Sequence, residues 1–222
     1  HEKTHLPFRS WCKACVKGRG VASPHARRSE EGPGAPHIDI DYCFPRSKVT
    51  ILGVRDSISG ATASMWVPKK GGSIAWISEH LQNIIDYEWG RSKIIFKSDG
   101  EEAIQDLKRI VHAMRSKQTI FEKSPTGESQ SNGRAENMIR EIEGMVRTWK
   151  EHLEEKYKLK IEVNNPICPW IVRYAGEVIT RFKRGTNGLT PYERLKEKKP
   201  RTRGALIGEK IMFMPLQDSK ND

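Results

Sequence analysis

Apolar residues cluster along the chain in a few short runs and several helical stripes. His37–Phe44, Val49–Val54 and Ala61–Val67 are apolar stretches of strand length. Pro45-Arg46-Ser47 divides the first two and Asp56–Gly60 the last two. Such turn-forming breaks predict three strands in an antiparallel meander. Over Ser73–Gly90 the residues Ile74, Ile77, Leu81, Ile84 and Ile85 recur at helical spacing and predict a helix packed on that sheet. Ile94-Ile95-Phe96 reads as a short buried strand ending at Lys97-Ser98-Asp99-Gly100. A helix follows, with Ile104, Leu107, Ile110 and Val111 on one face. Thr119–Glu122 predicts another strand, Ser124–Gly133 a polar loop, and Ala135–Tyr157 a long amphipathic helix. The apolar stripe of that helix is Ile139, Ile142, Met145, Val146, Trp149 and Leu153. Pro169–Phe182 predicts one more helix. A meander followed by alternating helix and strand implies an α/β domain, a mixed sheet with helices on its faces, over residues 37–180.

Upstream of this domain, residues 18–36 are rich in Gly, Pro, Ser and charge without apolar periodicity, and read as a linker between it and a small segment, 1–17. Residues 181–222 form a basic extension. The chain has 222 residues, 39 Lys and Arg against 28 Asp and Glu, and a net charge of +11. The charge sits at the flanks: residues 1–36 carry +4 and 181–203 carry +7, whereas 37–180 are close to neutral at +1. Basic flanks around a neutral domain suit a polyanionic partner, because each phosphate met by Lys or Arg releases counterions. No apolar run approaches the roughly 18 residues of a membrane span, so no membrane partner is expected. Four cysteines, with one C-x-x-C and the isolated Cys43 and Cys168, do not make a disulfide framework and imply a reducing compartment. The first residue is His and no apolar leader follows, so the chain reads as a piece of something longer.

Three acids stand where an α/β sheet exposes reactive groups. Asp99 ends a buried strand immediately before Gly100, and Glu136 opens the long helix after the polar loop. The third lies in His37-Ile38-Asp39-Ile40-Asp41, where period two puts Asp39 and Asp41 on the face opposite the isoleucines. Acids at such positions are costly unless paired or metal-bound.

These residues resemble the catalytic core of retroviral and retrotransposon integrases. Ser124-Pro125, followed by Ser129-Gln130-Ser131-Asn132-Gly133-Arg134-Ala135-Glu136-Asn137, is similar to the family's S-P … S-x-G-x-x-E run. Lys97-Ser98-Asp99-Gly100 is similar to its strand-terminal D-x-G element. Between Asp99 and Glu136 lie 36 residues, close to the family's spacing. Asp41-Tyr42-Cys43-Phe44-Pro45 resembles the D-x-x-G-P element of copia-like retrotransposons, with Phe44 in place of Gly. That match favours Asp41 over Asp39 as the first acid. Thr190-Pro191-Tyr192-Glu193 with Lys198-Lys199-Pro200 resembles the segment that follows such cores, and Gly208–Phe213 resembles the first strand of a C-terminal barrel.

The resemblance implies a ribonuclease-H-like fold and a catalytic triad of Asp41, Asp99 and Glu136. Converging carboxylates select hard cations, two Mg²⁺ or Mn²⁺ ions. The implied reactions are trimming of a DNA 3′ end and its transfer into target DNA. A catalytically inactive domesticated DNA-binding protein and a DDE transposase of a DNA element are the alternatives. His1, His5, Cys12 and Cys15 supply two imidazoles and a C-x-x-C knuckle, the donor set of a tetrahedral structural Zn²⁺ site. Gln130, Asn132, Arg134 and Arg140 flank Glu136 and are candidates for DNA contact, with Lys198, Lys199, Arg201 and Arg203 in the basic extension. Trp66, Trp76 and Trp149 read as packing residues. The implied partners are double-stranded DNA, both element ends and target, and further copies of the chain. The implied location is the nucleus, with a cytoplasmic virus-like particle as a second site.

Overall fold

In a computed structural model the described residues are 11–12, 34–44, 49–68, 70, 74–98, 100–123, 133–200, 207–210 and 212. The chain divides into two compact units, His1–Gly34 and Ala35–Asp222. In the first unit the described residues are Trp11, Cys12 and Gly34. Trp11 is exposed and Cys12 half-buried.

The second unit is built on a five-stranded sheet of order β3-β2-β1-β4-β5. Its strands are β1 (His37–Cys43), β2 (Thr50–Asp56), β3 (Thr62–Val67), β4 (Lys93–Ser98) and β5 (Gln118–Lys123). β1, β2 and β3 form the antiparallel meander that the turn residues predict. β4 pairs parallel with β1, and β5 parallel with β4. Such parallel pairing needs crossovers, and these are supplied by α1 (Ile74–Asn83), α2 (Glu102–Met114) and their flanking turns. The helix predicted over 73–90 ends in a π-helical turn, Ile84–Glu88, in which Trp89 N–H donates to the Ile84 carbonyl. α3 (Gly133–Tyr157), α4 (Ile167–Phe182) and α5 (Pro191–Lys196) complete the unit.

Period two in β1 sorts its side chains between two cores. Ile38, Ile40 and Tyr42 join Leu52, Val54, Ile77, Leu81, Ile94, Phe96, Ile104 and Leu107 beneath α1 and α2. Cys43 joins Ile51, Met138, Ile142, Val172 and Ile179 beneath α3 and α4. Ile110, expected on the apolar face of α2, lies exposed at its margin. Trp66 and Trp149 pack as expected, but Trp76 is exposed. Its position on α1 points outward from the stripe of Ile77 and Leu81.

α4 closes the free edge of β3. The Thr180 hydroxyl accepts from Thr62 N–H at 2.7 Å and donates to Thr62 C=O at 2.8 Å, and the Ser64 hydroxyl donates to Val172 C=O at 2.6 Å. The Thr180 hydroxyl thus satisfies backbone groups of an edge strand that would otherwise invite pairing, and Ser64 ties that strand to α4. α5, which the apolar pattern does not predict, starts with a capping box. Thr190 Oγ1 accepts from Glu193 N–H, and Glu193 accepts from Thr190 N–H. The strand expected over Gly208–Phe213 is not formed among its described residues: Ile207 and Gly208 make a turn, and Gly208 takes a φ of 75°.

Candidate active site

Asp39, Asp41 and Cys43 face α3, and the register decides what surrounds them. Asp39 stands opposite Arg55 and Asp41 opposite Gly53. A Cβ at Gly53 would meet Ile139 Cδ1 and Ile142 Cδ1 at 2.9 Å and Met138 Cε at 3.1 Å. The missing side chain therefore lets α3 settle close to the sheet beside Asp41. On the other side of β1, Asp39 is level with Lys97 in β4, so the end of β4 at Ser98 comes level with the middle of β1.

Asp41 is half-buried, and its Oδ1 accepts the N–H of Tyr42 at 2.8 Å. Glu136 lies exposed in the first turn of α3, and Arg140 lies exposed one turn further on. Glu143, seven residues after Glu136 and so on the same side of the helix, lies beside the Cys43 thiol. Burial, with Glu143 and Asp41 nearby, pushes that thiol up to about 12, which makes it a packing group rather than a nucleophile.

Asp39 is buried at 3% exposure. Its carboxylate meets Arg134, with Oδ2 3.1 Å from Nε and Oδ1 accepting from an Nη at 3.2 Å. Burial raises its pKa, and Arg134 only partly offsets that. Arg134, expected to face DNA, is thus engaged within the fold, although its side chain is half-exposed. Arg55, the cross-strand partner of Asp39, donates to Glu141 Oε2 at 2.6 Å, and Lys183 pairs with Glu141 Oε1 at 2.5 Å. Lys108 is another group that patterning did not single out. It is fully buried on α2, with Nζ 3.1 Å from Ser98 Oγ and 3.4 Å from the Glu122 carbonyl, at the ends of β4 and β5. A lysine at an i+4 position on an otherwise apolar face was its only sequence signal. At the same end of β4, Lys70 ion-pairs with Glu101 and lies over the rings of Tyr42 and Phe44, at 5.7 and 4.7 Å.

The structure therefore brings Asp41 and the first turn of α3 to one face of the sheet, beside the end of β4. Asp99, Gln130, Asn132, Arg201, Arg203, His1, His5 and Cys15 lie outside the described residues, as do most of the 18–36 linker and the 124–132 loop. Among the described residues no group of three or more His, Cys, Asp or Glu is arranged to hold a metal. The donors that are described at this face, Asp41 and Glu136, are carboxylate oxygens, and hard divalent cations prefer such ligands. Lys198 and Lys199 are exposed after α5. No described helix is long and apolar enough to cross a membrane.

Neither a family model nor a curated protein matches the sequence. Solved structures do match the fold. The catalytic core domain of BIV integrase is similar over 74% of this chain and 95% of its own, with a TM-score of 0.52 and 15% identity. The HTLV-2 integrase catalytic core domain, solved with magnesium in a trimeric form, is similar over 72% and 95%, with a TM-score of 0.51 and 15% identity. A simian T-cell lymphotropic virus intasome, in complex with the PP2A regulatory subunit B56 gamma, is similar over 92% and 69%, with a TM-score of 0.58 and 14% identity. At these identities the likeness is one of fold: the second unit is an α/β domain with the fold of retroviral integrase catalytic cores.

Proposed function

We propose that this chain is a retroelement integrase of the copia-like kind, which trims DNA 3′ ends and transfers them into target DNA. The observation that supports the reading is that Asp41 lies across from Gly53, against which Met138, Ile139 and Ile142 of α3 pack just after Glu136. β4, paired with β1 alongside, ends at Ser98, and Asp99 follows in the sequence.

In this reading Asp41, Asp99 and Glu136 hold two divalent cations, and the magnesium in the similar HTLV-2 core supports that choice of metal. When bound, such ions activate the attacking oxygen and stabilise the leaving 3′ oxygen of an in-line displacement at phosphorus. The chain's own groups hold the DNA in place. The Tyr42 N–H fixes the Asp41 carboxylate on its strand. Arg140, on the Glu136 side of α3, meets a phosphate, and Gln130 and Asn132 contact the DNA from the adjoining loop. Lys198, Lys199, Arg201 and Arg203 follow the backbone beyond the site. The element's DNA end and target DNA are the partners, and copies of the chain assemble on them; the similar intasome and the trimeric form of the similar core support an assembly of several chains. Action on chromosomal DNA implies the nucleus. His1, His5, Cys12 and Cys15 hold one structural zinc, without which so short a segment buries too little apolar surface to fold.

Oligonucleotide integration assays test the reading. Asp41→Asn, Asp99→Asn and Glu136→Gln should each abolish trimming and joining together, because each removes a ligand at constant volume, and Asp39→Asn should slow both without abolishing either. Joining that survives Glu136→Gln, or that Asp39→Asn abolishes while Asp41→Asn spares it, would reject the assignment.

A further inference from the structure

The face between α3 and the sheet carries four charges in a pattern that packing alone does not require. Asp39 and Arg55 are cross-strand partners, so the sheet presents a negative and a positive group side by side. α3 presents Arg134 and Glu141, seven residues or two turns apart on one flank. Each sheet charge meets its opposite on the helix: Asp39 meets Arg134 at 3.1 Å and Arg55 meets Glu141 at 2.6 Å. Three of the four side chains are largely removed from water, with Asp39 4%, Arg55 14% and Glu141 21% exposed.

We propose that this quartet is a charge register that positions α3, and through it Glu136, against β1. The apolar stripe of α3 selects its register only in part: a slip of four residues sets Ile142, Val146 and Trp149 where Met138, Ile142 and Met145 stood, although Glu143 and Lys150 would take the places of Ile139 and Val146. The charges do discriminate. A slip of four residues sets Met138 where Arg134 stood and Met145 where Glu141 stood, taking from Asp39 and Arg55 their partners on the helix. An uncompensated buried charge is strongly unfavourable, and fixing register is the best-attested use of such pairs. Glu136 lies about 200° around the helix from Arg134. With the Arg134 and Glu141 flank tied to Asp39 and Arg55, Glu136 is turned to the side where Glu143 reaches Cys43, two residues beyond Asp41. Asp39 and Arg134 are then positioning residues. They act through Glu136 without touching DNA. This inference rests on the reading of Asp41 and Glu136 as the metal-holding carboxylates.

The test compares Asp39→Asn, Arg134→Gln, Arg134→Lys and the double variant Asp39→Asn/Arg134→Gln in the full chain. It reads joining of a pre-trimmed DNA end and amide exchange at residues 137–139 of α3. Expected is a fall in kcat of roughly ten- to a hundredfold in Asp39→Asn and in Arg134→Gln. The KM for DNA should stay unchanged, Arg134→Lys should recover part of the rate, and the double variant should be no slower than the slower single. Exchange at 137–139 should quicken in both singles without a further increase in the double. The proposal is overturned if Arg134→Gln raises the KM for DNA while Asp39→Asn keeps the wild-type rate, since Arg134 would then be a phosphate contact. Should Asp39→Asn fail to fold, the two Arg134 variants still separate a kcat effect from a KM effect. A wild-type chain that joins no DNA would reject the integrase reading. The register would then stand or fall on the exchange data, where additive effects in the double variant would reject it.

Discussion

Two glycines hold helices against the sheet, and the atoms facing them predict different costs for a methyl group. At Gly53 an added Cβ would meet the mobile ends of Ile139, Ile142 and Met138. At Gly176 on α4 it would meet the Ser64 backbone nitrogen and hydroxyl at 2.8 Å, and the Gly176 N–H already donates to that hydroxyl. Backbone cannot yield as side-chain ends do. Gly176→Ala should therefore cost about 1–3 kcal/mol or more in urea unfolding, and Gly53→Ala visibly less. Equal costs would mean that α4 is free to move off β3. Glu141 supplies a pH-dependent term. Burial pushes its carboxyl up, but hydrogen bonds from Lys183 and Arg55, together with their charges, outweigh that and hold it below its usual value of 4.5. A carboxyl lowered on folding stabilises the fold above its unfolded pKa, and the contribution fades as pH falls through the folded one. Glu141→Gln should thus lose on the order of 1 kcal/mol at pH 7. The gap from wild type should close as the pH drops below 4.5, measured by melts across pH 3–7.

Elements differ in how openly the chain announces them. The strands of the meander and the stripe of α3 follow from side-chain period, because a strand and a helix each bury one face. α5 has too few apolar residues for a period, yet Thr190-Pro191-Tyr192-Glu193 spells a capping box with proline in the first turn. Replacing Thr190 by Ala removes one side of that box and should cost about 1 kcal/mol. Its effect should be seen as a lower melting temperature and faster exchange in residues 191–196. No loss would show that Pro191 and the packing of α5 on α4 suffice. The π-helical turn after α1 is the opposite case. Ile84 and Ile85 fit a regular helix and do not announce the wider turn, which carries Asp86 in a buried ion pair with Arg115 at 2.5 Å.

For the whole molecule, the basic extension is less available to a polyanion than its charge suggests. Arg181 pairs with Glu177, Lys183 with Glu141, Arg194 donates to Ser59 C=O and Asn187, and Lys196 donates to Glu88 C=O. Lys198 and Lys199 stand exposed at the far end. Changing Lys198, Lys199, Arg201 and Arg203 to Gln should lower the slope of log affinity against log salt by about 0.9 for each duplex DNA phosphate no longer neutralised. Arg194→Gln should leave the slope as it is and lower stability instead. A slope unmoved by the fourfold change would mean that DNA takes another path over the surface.

Local pattern by itself determined the strands of the meander, the two crossover units and the long helix, since each depends on neighbours within a few residues. It also singled out Asp39 and Asp41 as acids alternating with isoleucines and Asp99 and Glu136 as acids at element ends, and the resemblance they carry pointed to the fold that the comparisons support. What each acid does was decided by tertiary structure. Asp39 and Asp41 share a face and a pattern, but strand pairing set one opposite Arg55 and within reach of Arg134, and the other opposite Gly53. The buried pairs of Asp56 with Arg91 and of Asp86 with Arg115 were likewise invisible in the pattern. A charge in a sequence has many possible partners, and only the register of strands and the docking of helices bring one of them within hydrogen-bond distance.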